Sequence, residues 1–281
     1  MLFRIMRMLA SRDIFKNCGD GKFSLTPSAE LLCSNVPYSL RSAVLMLTDE
    51  TFWQPSGNLP ENLKGGDAFK QQFGESFYEY WSKDNNKNSL YDFHSGMSSM
   101  SEVENSFLVR SYDFPKNATV VDIAGGMGGL LLAVLRSNPT LTGILFDREA
   151  VLSRSRLSEL NDDSRWQLQN GDFFVSCPPA DIYLLKYIAM DWPDAQATKI
   201  LKCIRQAMHE NSKLLIMEPI IPPGNTWHGG NEIDLLLLSS FDGGKTRDEE
   251  ELSILLGKAD LKLNRVITTG CYVSIAEVVI V

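Results

Sequence analysis

The sequence predicts an α/β protein: a doubly wound, mostly parallel sheet that ends in an antiparallel hairpin and follows a mainly helical N-terminal region. Three observations predict it. From Ala118 onward, short apolar runs of strand character alternate with helical stretches, which is the pattern of a parallel sheet with crossover helices. The first of these runs leads into Asp122-Ile-Ala-Gly-Gly-Met-Gly128, a glycine turn that opens onto the helix-like Gly129-Leu-Leu-Leu-Ala-Val-Leu135. The last two runs are joined by the turn Thr269-Gly270, too short for a crossover, so they must run antiparallel. With 281 residues, 44% hydrophobic and 22% charged, the chain can bury one large domain and a smaller piece. We place the boundary at 113/114.

Element by element, residues 1–12 carry apolar side chains at positions 2, 5, 6 and 9, one face of an amphipathic helix. Asn17-Cys-Gly-Asp-Gly21 reads as a turn and Lys22-Phe-Ser-Leu-Thr26 as a short strand; a helix restarts at Pro27. Helix, glycine turn and short strand form the second half of a winged helix. The first half would precede Met1, so a shortened chain is expected. Residues 37–113 read as mostly helical, with breaks at Asn35-Val-Pro37 and Pro55-Ser-Gly-Asn-Leu-Pro60. Strands follow at 119–123, 141–146, 166–169, 181–186 and 212–218, with helices at 194–208, 232–240 and 247–257. The last of these helices has Glu249, Glu250 and Glu251 in its first turns, as the helix dipole prefers. Strands at 261–268 and 271–281 close the chain.

The bulk numbers exclude several roles. A net charge of −8 and a pI near 5.0 argue against a surface that neutralises nucleic-acid phosphates. Cys18, Cys33, Cys177, Cys203 and Cys271 are scattered and form no C-x-x-C pair, so neither a disulfide framework nor a zinc site is expected. No run approaches the ~20 apolar residues of a membrane span, and Arg4 and Arg7 interrupt the N-terminal apolar stretch, unlike a signal peptide. These features predict a reduced, cytoplasmic protein with no nucleic-acid partner and no membrane span.

In an open parallel sheet a ligand sits beyond the carboxyl ends of the strands. Asp122, Gly125, Gly126 and Gly128 end the first strand, where bare backbone and a helix N-terminus meet a ligand. Asp147 ends the second strand and suits the hydroxyls of a ribose. Asp172 and Phe173 follow the third, where a carboxylate can accept an adenine amino group and an aromatic ring can stack. Lys186 ends the fourth. Each alone has an ordinary use: helix packing for the glycines, an N-cap for Asp147, core for Phe173. Together, at consecutive strand ends, they point to an adenosine-bearing cofactor. NAD is the rival. The pattern G-x-G-x-x-G fails, however, because a start at Gly126 puts Leu131 at its third glycine.

The chain resembles the small-molecule O-methyltransferase family that includes caffeic acid, hydroxyindole and bacterial polyketide methyltransferases. The resemblance runs through nearly the whole length and lacks that family's first helices. It is carried by Phe23-Ser-Leu-Thr-Pro27, Val121-Asp-Ile-Ala-Gly-Gly-Met-Gly128, Gly171-Asp-Phe-Phe174, Tyr183-Leu-Leu-Lys186, Asp191-Trp192 and Gly243-Gly-Lys245. It implies a class I methyltransferase fold, S-adenosyl-L-methionine (SAM) as cofactor, and SAM contacts at Gly125, Asp147, Asp172, Phe173 and Lys186. It also implies a winged-helix region that covers substrate and forms a homodimer, which a shortened start would weaken.

At the catalytic positions the chain departs from the family. Where the family carries His-Asp-Trp, this chain has Met190-Asp191-Trp192, and a thioether cannot act as a general base. The first supporting glutamate matches Glu218; the second is replaced by Thr246. A positioned base contributes ~10²–10⁴-fold, and proximity roughly 7–11 kcal/mol. Methyl transfer to an acidic phenol or enol is therefore expected to proceed without the histidine, and transfer to an ordinary alcohol is not. Asp191, Glu218 and His94 are the candidate substitutes; His209 and His228 read as bystanders. Met97 and Met100, with Phe93 and Trp192, are candidates for an apolar substrate clamp, against the plainer reading of core packing, and Met190 is a further candidate substrate contact. The expected function is SAM-dependent O-methylation of a small hydroxylated molecule. The alternatives are a SAM-binding decarboxylase, hydroxylase or pericyclase, and a degenerate partner subunit.

Overall fold

The computed structural model describes residues 1–83 and 93–281. The chain forms two compact units, Met1–Thr48 with Asn88–Val103, and Asp49–Lys87 with Glu104–Val281. Residues 84–92 of the segment expected to be helical lie outside the described residues.

In the first unit, helix α1 (Leu2–Ala10) precedes a hairpin of β1 (Phe15–Gly19) and β2 (Lys22–Leu25), followed by α2 (Pro27–Glu30) and α3 (Arg41–Leu47). The expected strand after Gly21 is present. The preceding residues were expected to be only a turn and instead form β1, with Asn17 paired to Phe23. Most of β1 faces solvent on both sides, so it shows no apolar alternation to read. The tip Asp20-Gly21 takes positive φ at both residues, the geometry of a tight hairpin turn. Thr26 caps α2, accepting a bond from the Ala29 amide at 3.2 Å, ahead of Pro27 in the first turn. Helix α1 buries none of its residues; Leu2, Phe3, Ile5 and Met8 are all exposed.

The second unit opens with short helices α4 (Glu50–Gly57), α5 (Leu59–Leu63), α6 (Ala68–Phe73) and α7 (Phe77–Ser82). Pro55 was expected to break the chain, yet α4 runs through it to Gly57. Pro55 and Phe52 are buried, and that packing outweighs the one lost hydrogen bond near the helix end. Helix α8 (Phe93–Ser111) contributes its first half to the first unit and its second half to this one.

The sheet comprises β3 (Thr119–Ile123), β4 (Thr142–Asp147), β5 (Trp166–Asn170), β6 (Ile182–Lys186), β7 (Lys213–Glu218), β8 (Leu261–Thr268) and β9 (Ser274–Ile280). Their spatial order is β5-β4-β3-β6-β7-β9-β8, parallel through β7 and antiparallel at β9 and β8. The connection from β8 to β9 spans 269–273, longer than the two-residue turn expected. Helices α9 (Gly129–Ser137), α10 (Glu149–Leu152), α11 (Asp194–Ala207), α12 (Gly229–Ser240) and α13 (Glu249–Gly257) complete the unit. Residues such as Val121, Ile123, Tyr183, Leu185, Leu214 and Ile216 are fully buried, as central parallel strands covered on both faces require. The strand order reverses between β3 and β6, and the crevice beyond their carboxyl ends is where a doubly wound sheet binds ligands.

Candidate active site

The glycine loop follows β3. Ala124, Gly126 and Gly128 take positive φ, and Gly128 is the N-cap of α9, which has no side-chain cap. A Cβ at Gly125 would lie 2.5 Å from both the Asp122 carboxyl carbon and a Leu145 methyl, so glycine is required there. Nothing stands within 4 Å of a Cβ built on Gly126, so its backbone is open to a ligand. Asp147 ties the loop to β4: its Oδ2 accepts the Gly126 amide at 2.9 Å and its Oδ1 the Arg148 amide at 2.7 Å. Beneath the loop Asp122 is buried with Oδ2 unpartnered. Desolvation pushes its carboxyl up to about 7, against the opposing positive charge of Lys186.

Lys186, at the end of β6, forms a 2.8 Å ion pair with Glu104 of α8, both side chains almost wholly buried, and donates to Asn105 at 3.1 Å. The Tyr187 and Tyr272 hydroxyls each lie 2.8 Å from the other Glu104 oxygen. Asp172 is exposed and accepts the Phe174 amide at 2.8 Å, a local turn that sets Phe173 and Phe174 beside Trp192, with ring centroids 6.4 and 4.9 Å away.

The second half of the site lies at the ends of β6 and β7. Ala189, Met190 and Asp191 form a single 3₁₀ turn. Arg247, fully buried, clamps it, donating to Ala189 O at 2.9 Å, Trp192 O at 3.1 Å and Asp194 Oδ1 at 2.9 Å. Gly244 packs directly on the turn, where a Cβ would lie 3.0 Å from Met190 O, and Gly243 packs on Pro193. Glu218 is fully buried, accepts the Met190 amide at 3.1 Å through Oε2, and leaves Oε1 unpartnered. Desolvation pushes it up to about 7 despite the positive charge of Arg247. Asp191 is half-buried and accepts a hydrogen bond from the Tyr78 hydroxyl on Oδ2. Desolvation, with the nearby Glu218 charge, raises its carboxyl to about 8, while the Tyr78 bond works the other way. Thr246, at the second glutamate position, bonds Asp234 Oδ1 through its amide at 2.7 Å and its hydroxyl at 3.0 Å.

Twelve of the fifteen expected site residues thus lie at or just beyond the carboxyl ends of the strands: Asp122, Gly125, Gly126, Gly128, Asp147, Asp172, Phe173, Lys186, Met190, Asp191, Trp192 and Glu218. His94, Met97 and Met100 lie in the first half of α8, in the other compact unit, and are half-buried. Asp92, at the head of the His94 stretch, lies outside the described residues. His228 caps α12, accepting the Gly230 amide at 3.1 Å, and His209 lies 2.9 Å from Asp181, so both have local structural uses. Three residues escaped the sequence reading: Tyr78, Arg247 and Glu104. Nothing in Phe77-Tyr78-Glu79-Tyr80-Trp81 marks one aromatic above the rest, and Arg247 sits two residues beyond Gly243-Gly-Lys245.

Residues 58–262 match the family profile described as an O-methyltransferase domain. The chain is 34% identical over 280 residues to the phenazine O-methyltransferase PhzM of Lysobacter antibioticus, covering 99% of this chain and 81% of that protein. It is also similar to CalO1, a methyltransferase in calicheamicin biosynthesis solved with S-adenosylhomocysteine (SAH), at 37% identity and a TM-score of 0.89 over 100% of this chain and 83% of that one. A further match is NcsB1, an O-methyltransferase from neocarzinostatin biosynthesis solved with SAM and 2-hydroxy-5-methyl naphthoic acid, at 28% identity and a TM-score of 0.80 over 100% and 85% of the two chains. With this fold, this strand-end constellation and these relatives, the chain belongs to the O-methyltransferase domain family and is a SAM-dependent methyltransferase.

Proposed function

We propose that this enzyme methylates the hydroxyl of a small planar phenol, with Asp191 in place of a histidine as the proton acceptor. One observation carries the reading: at the turn where Met190 offers no base, the neighbouring Asp191 carboxylate already accepts a phenolic hydroxyl, that of Tyr78, in a desolvated setting. A carboxyl raised to about 8 is far better matched to a phenol near 10 than an ordinary carboxylate near 4. The surroundings suit a flat ring, with Trp192, Phe241 and Phe174 packed about the turn.

The open backbone at Gly126, the unpartnered Asp122 oxygen and the Asp147 carboxylate fit SAM. In this reading Asp147 holds the ribose, Gly125, Gly126 and Gly128 admit the cofactor to bare backbone, and Asp172 and Phe173 take the adenine. Asp122 supports the loop from below, and Lys186 ends the cofactor edge. When bound, SAM supplies a methyl group already activated on a positive sulfur. Asp191 takes the hydroxyl proton as the acceptor oxygen bonds to the methyl carbon. SAM would leave as SAH, and Asp191 would return its proton to water. Glu218 holds the turn through the Met190 amide. Met190 and Trp192 flank the acceptor.

Asp191→Asn tests the base: kcat/KM should fall by ~10²–10⁴-fold. SAH formation with a panel of phenols and aliphatic alcohols tests the class. Equal rates on both would sink the phenol reading, and turnover of substrate without SAH would instead favour a non-methylating reaction.

The exposed apolar residues of α1 support a homodimer, in which a second copy covers Leu2, Phe3, Ile5 and Met8. Sedimentation at micromolar concentration should then give twice the mass of 31.5 kDa.

A further inference from the structure

The contact between Tyr78 and Asp191 joins residues 113 positions apart, and two separate interactions come from the one side chain. The Tyr78 hydroxyl bonds Asp191 Oδ2, and its ring stacks on Trp192 with centroids 5.9 Å apart and planes at 16°. We propose that Tyr78 is a positioning residue for proton transfer, holding Oδ2 of Asp191 so that Oδ1 is the oxygen that meets the acceptor hydroxyl. This rests on the reading of Asp191 as proton acceptor.

Three observations support it. The first is rigidity. Tyr78 lies in the first turn of α7, whose N-terminus is fixed by a reciprocal capping box between Ser76 and Glu79. Its neighbour Phe77 is buried against Phe52, Phe69 and Phe241, with centroids 5.5, 5.2 and 4.6 Å away. A side chain on such a base does not follow Asp191; it fixes it.

The second is hydrogen-bonding capacity. A phenol has one proton to donate and a carboxylate has two oxygens. Among the described residues Oδ1 of Asp191 has no hydrogen-bond partner, so the free oxygen is defined by the occupied one.

The third is electrostatic. The carboxylate is ringed by groups that disfavour its charge: a dry setting and the buried Glu218, which itself faces Arg247 and the Met190 amide. Tyr78 in turn faces Asp147 and Arg148 across the strand ends. Of the interactions on Asp191, the Tyr78 hydrogen bond is the one that favours the ionised form. The residue therefore both aims the base and keeps it ionised at a lower pH than its surroundings would allow.

The test is Tyr78→Phe, which keeps the ring and its stacking and removes the hydroxyl. The measurements are a pH profile of kcat/KM on a phenol that the wild type methylates, and SAM affinity by calorimetry. A positioning role predicts that the acid limb moves to higher pH by about one unit, so that kcat/KM at pH 7 falls about tenfold while SAM affinity holds. A merely structural role would lower kcat/KM at every pH and leave the limb in place, and that result would overturn the inference. If Tyr78→Phe is too slow to assay, the ¹³C carboxyl shift of Asp191, titrated without substrate, reads the same quantity, and an unmoved midpoint overturns the inference equally. Asp191→Asn separates the two readings. An inactive Asp191→Asn with an unmoved limb in Tyr78→Phe refutes Tyr78 alone, whereas an Asp191→Asn that keeps full activity overturns both.

Discussion

The two halves of the sheet edge hold Asp147 and Asp191 in different ways. On the cofactor side Asp147 spends both oxygens on backbone amides of the loop and of the next turn. On the acceptor side Glu218 accepts one amide and has its other oxygen unpartnered, and among the described residues Asp191 accepts one hydrogen bond, from a phenol. Amide donors favour the ionised form; desolvation without such donors favours the neutral form. Desolvation holds Glu218 and Asp191 near 7 and 8, where they exchange protons at ordinary pH, and it raises Asp122, buried beneath the glycine loop with one oxygen unpartnered, to about 7 as well; Asp147, bonded to two amides, is the carboxyl set apart. Loss of a histidine from such a turn does not by itself remove proton-transfer capacity.

Five substitutions would break or sharpen that contrast. The largest effect is expected from Asp191→Asn, with its ~10²–10⁴-fold loss, while SAM still binds. Next is Gly125→Ala. Its Cβ would meet Asp122 and Leu145 at 2.5 Å, and SAM affinity should fall by ~10–100-fold in calorimetry, with the proton-transfer half untouched. Near-normal affinity would show that the loop tolerates a side chain where the contrast needs bare backbone. Third, Met190→His should raise kcat/KM at pH 7 about tenfold and bring the acid limb down toward ~6.5, the range of an imidazole. An unchanged limb would mean that the turn does not aim residue 190 at the acceptor.

The smallest effect concerns stability. Asp122, Asp191 and Glu218 all have carboxyls raised above their ordinary values in the folded state. Folding therefore favours their protonated forms. The stability this contributes is fully present below the ordinary carboxylate range and is lost as pH rises through about 7 to 8. The melting temperature should decline between pH 5 and 8, and Glu218→Gln should flatten that decline by removing one titrating group. A steeper decline would contradict the assigned environment. Arg247→Met belongs with this measurement. It strips donors from Ala189 O and Trp192 O and should cost about 3 kcal/mol, since buried acceptors lose partners that water cannot replace.

The strand-end positions of the proposed cofactor residues were legible in the chain. These residues sit at the ends of consecutive strands, each strand is a short apolar run, and the chemistry is local to the turn that follows. Asp122, Gly125, Asp147 and Asp172 could be named from spacing because one residue of displacement would change the strand that ends there. The edge strand β1 was not legible, because a strand exposed on both faces has no alternation to betray it. Pro55 misled for the opposite reason: burial of α4 overrode a local signal.

What the sequence determined by itself, then, is the order of strands and helices, the glycine loop, and the absence of a base at Met190. Period and spacing are properties of neighbouring residues, and a thioether has no basicity in any fold. What only the tertiary structure decided is how the vacant role is approached. Tyr78 reaches Asp191 from 113 residues away, Arg247 clamps the turn from 55 residues beyond Trp192, and Glu218 is stripped of water by its neighbours. Desolvation and long-range hydrogen bonds depend on which surfaces are pressed together, and no pattern of adjacent residues encodes that.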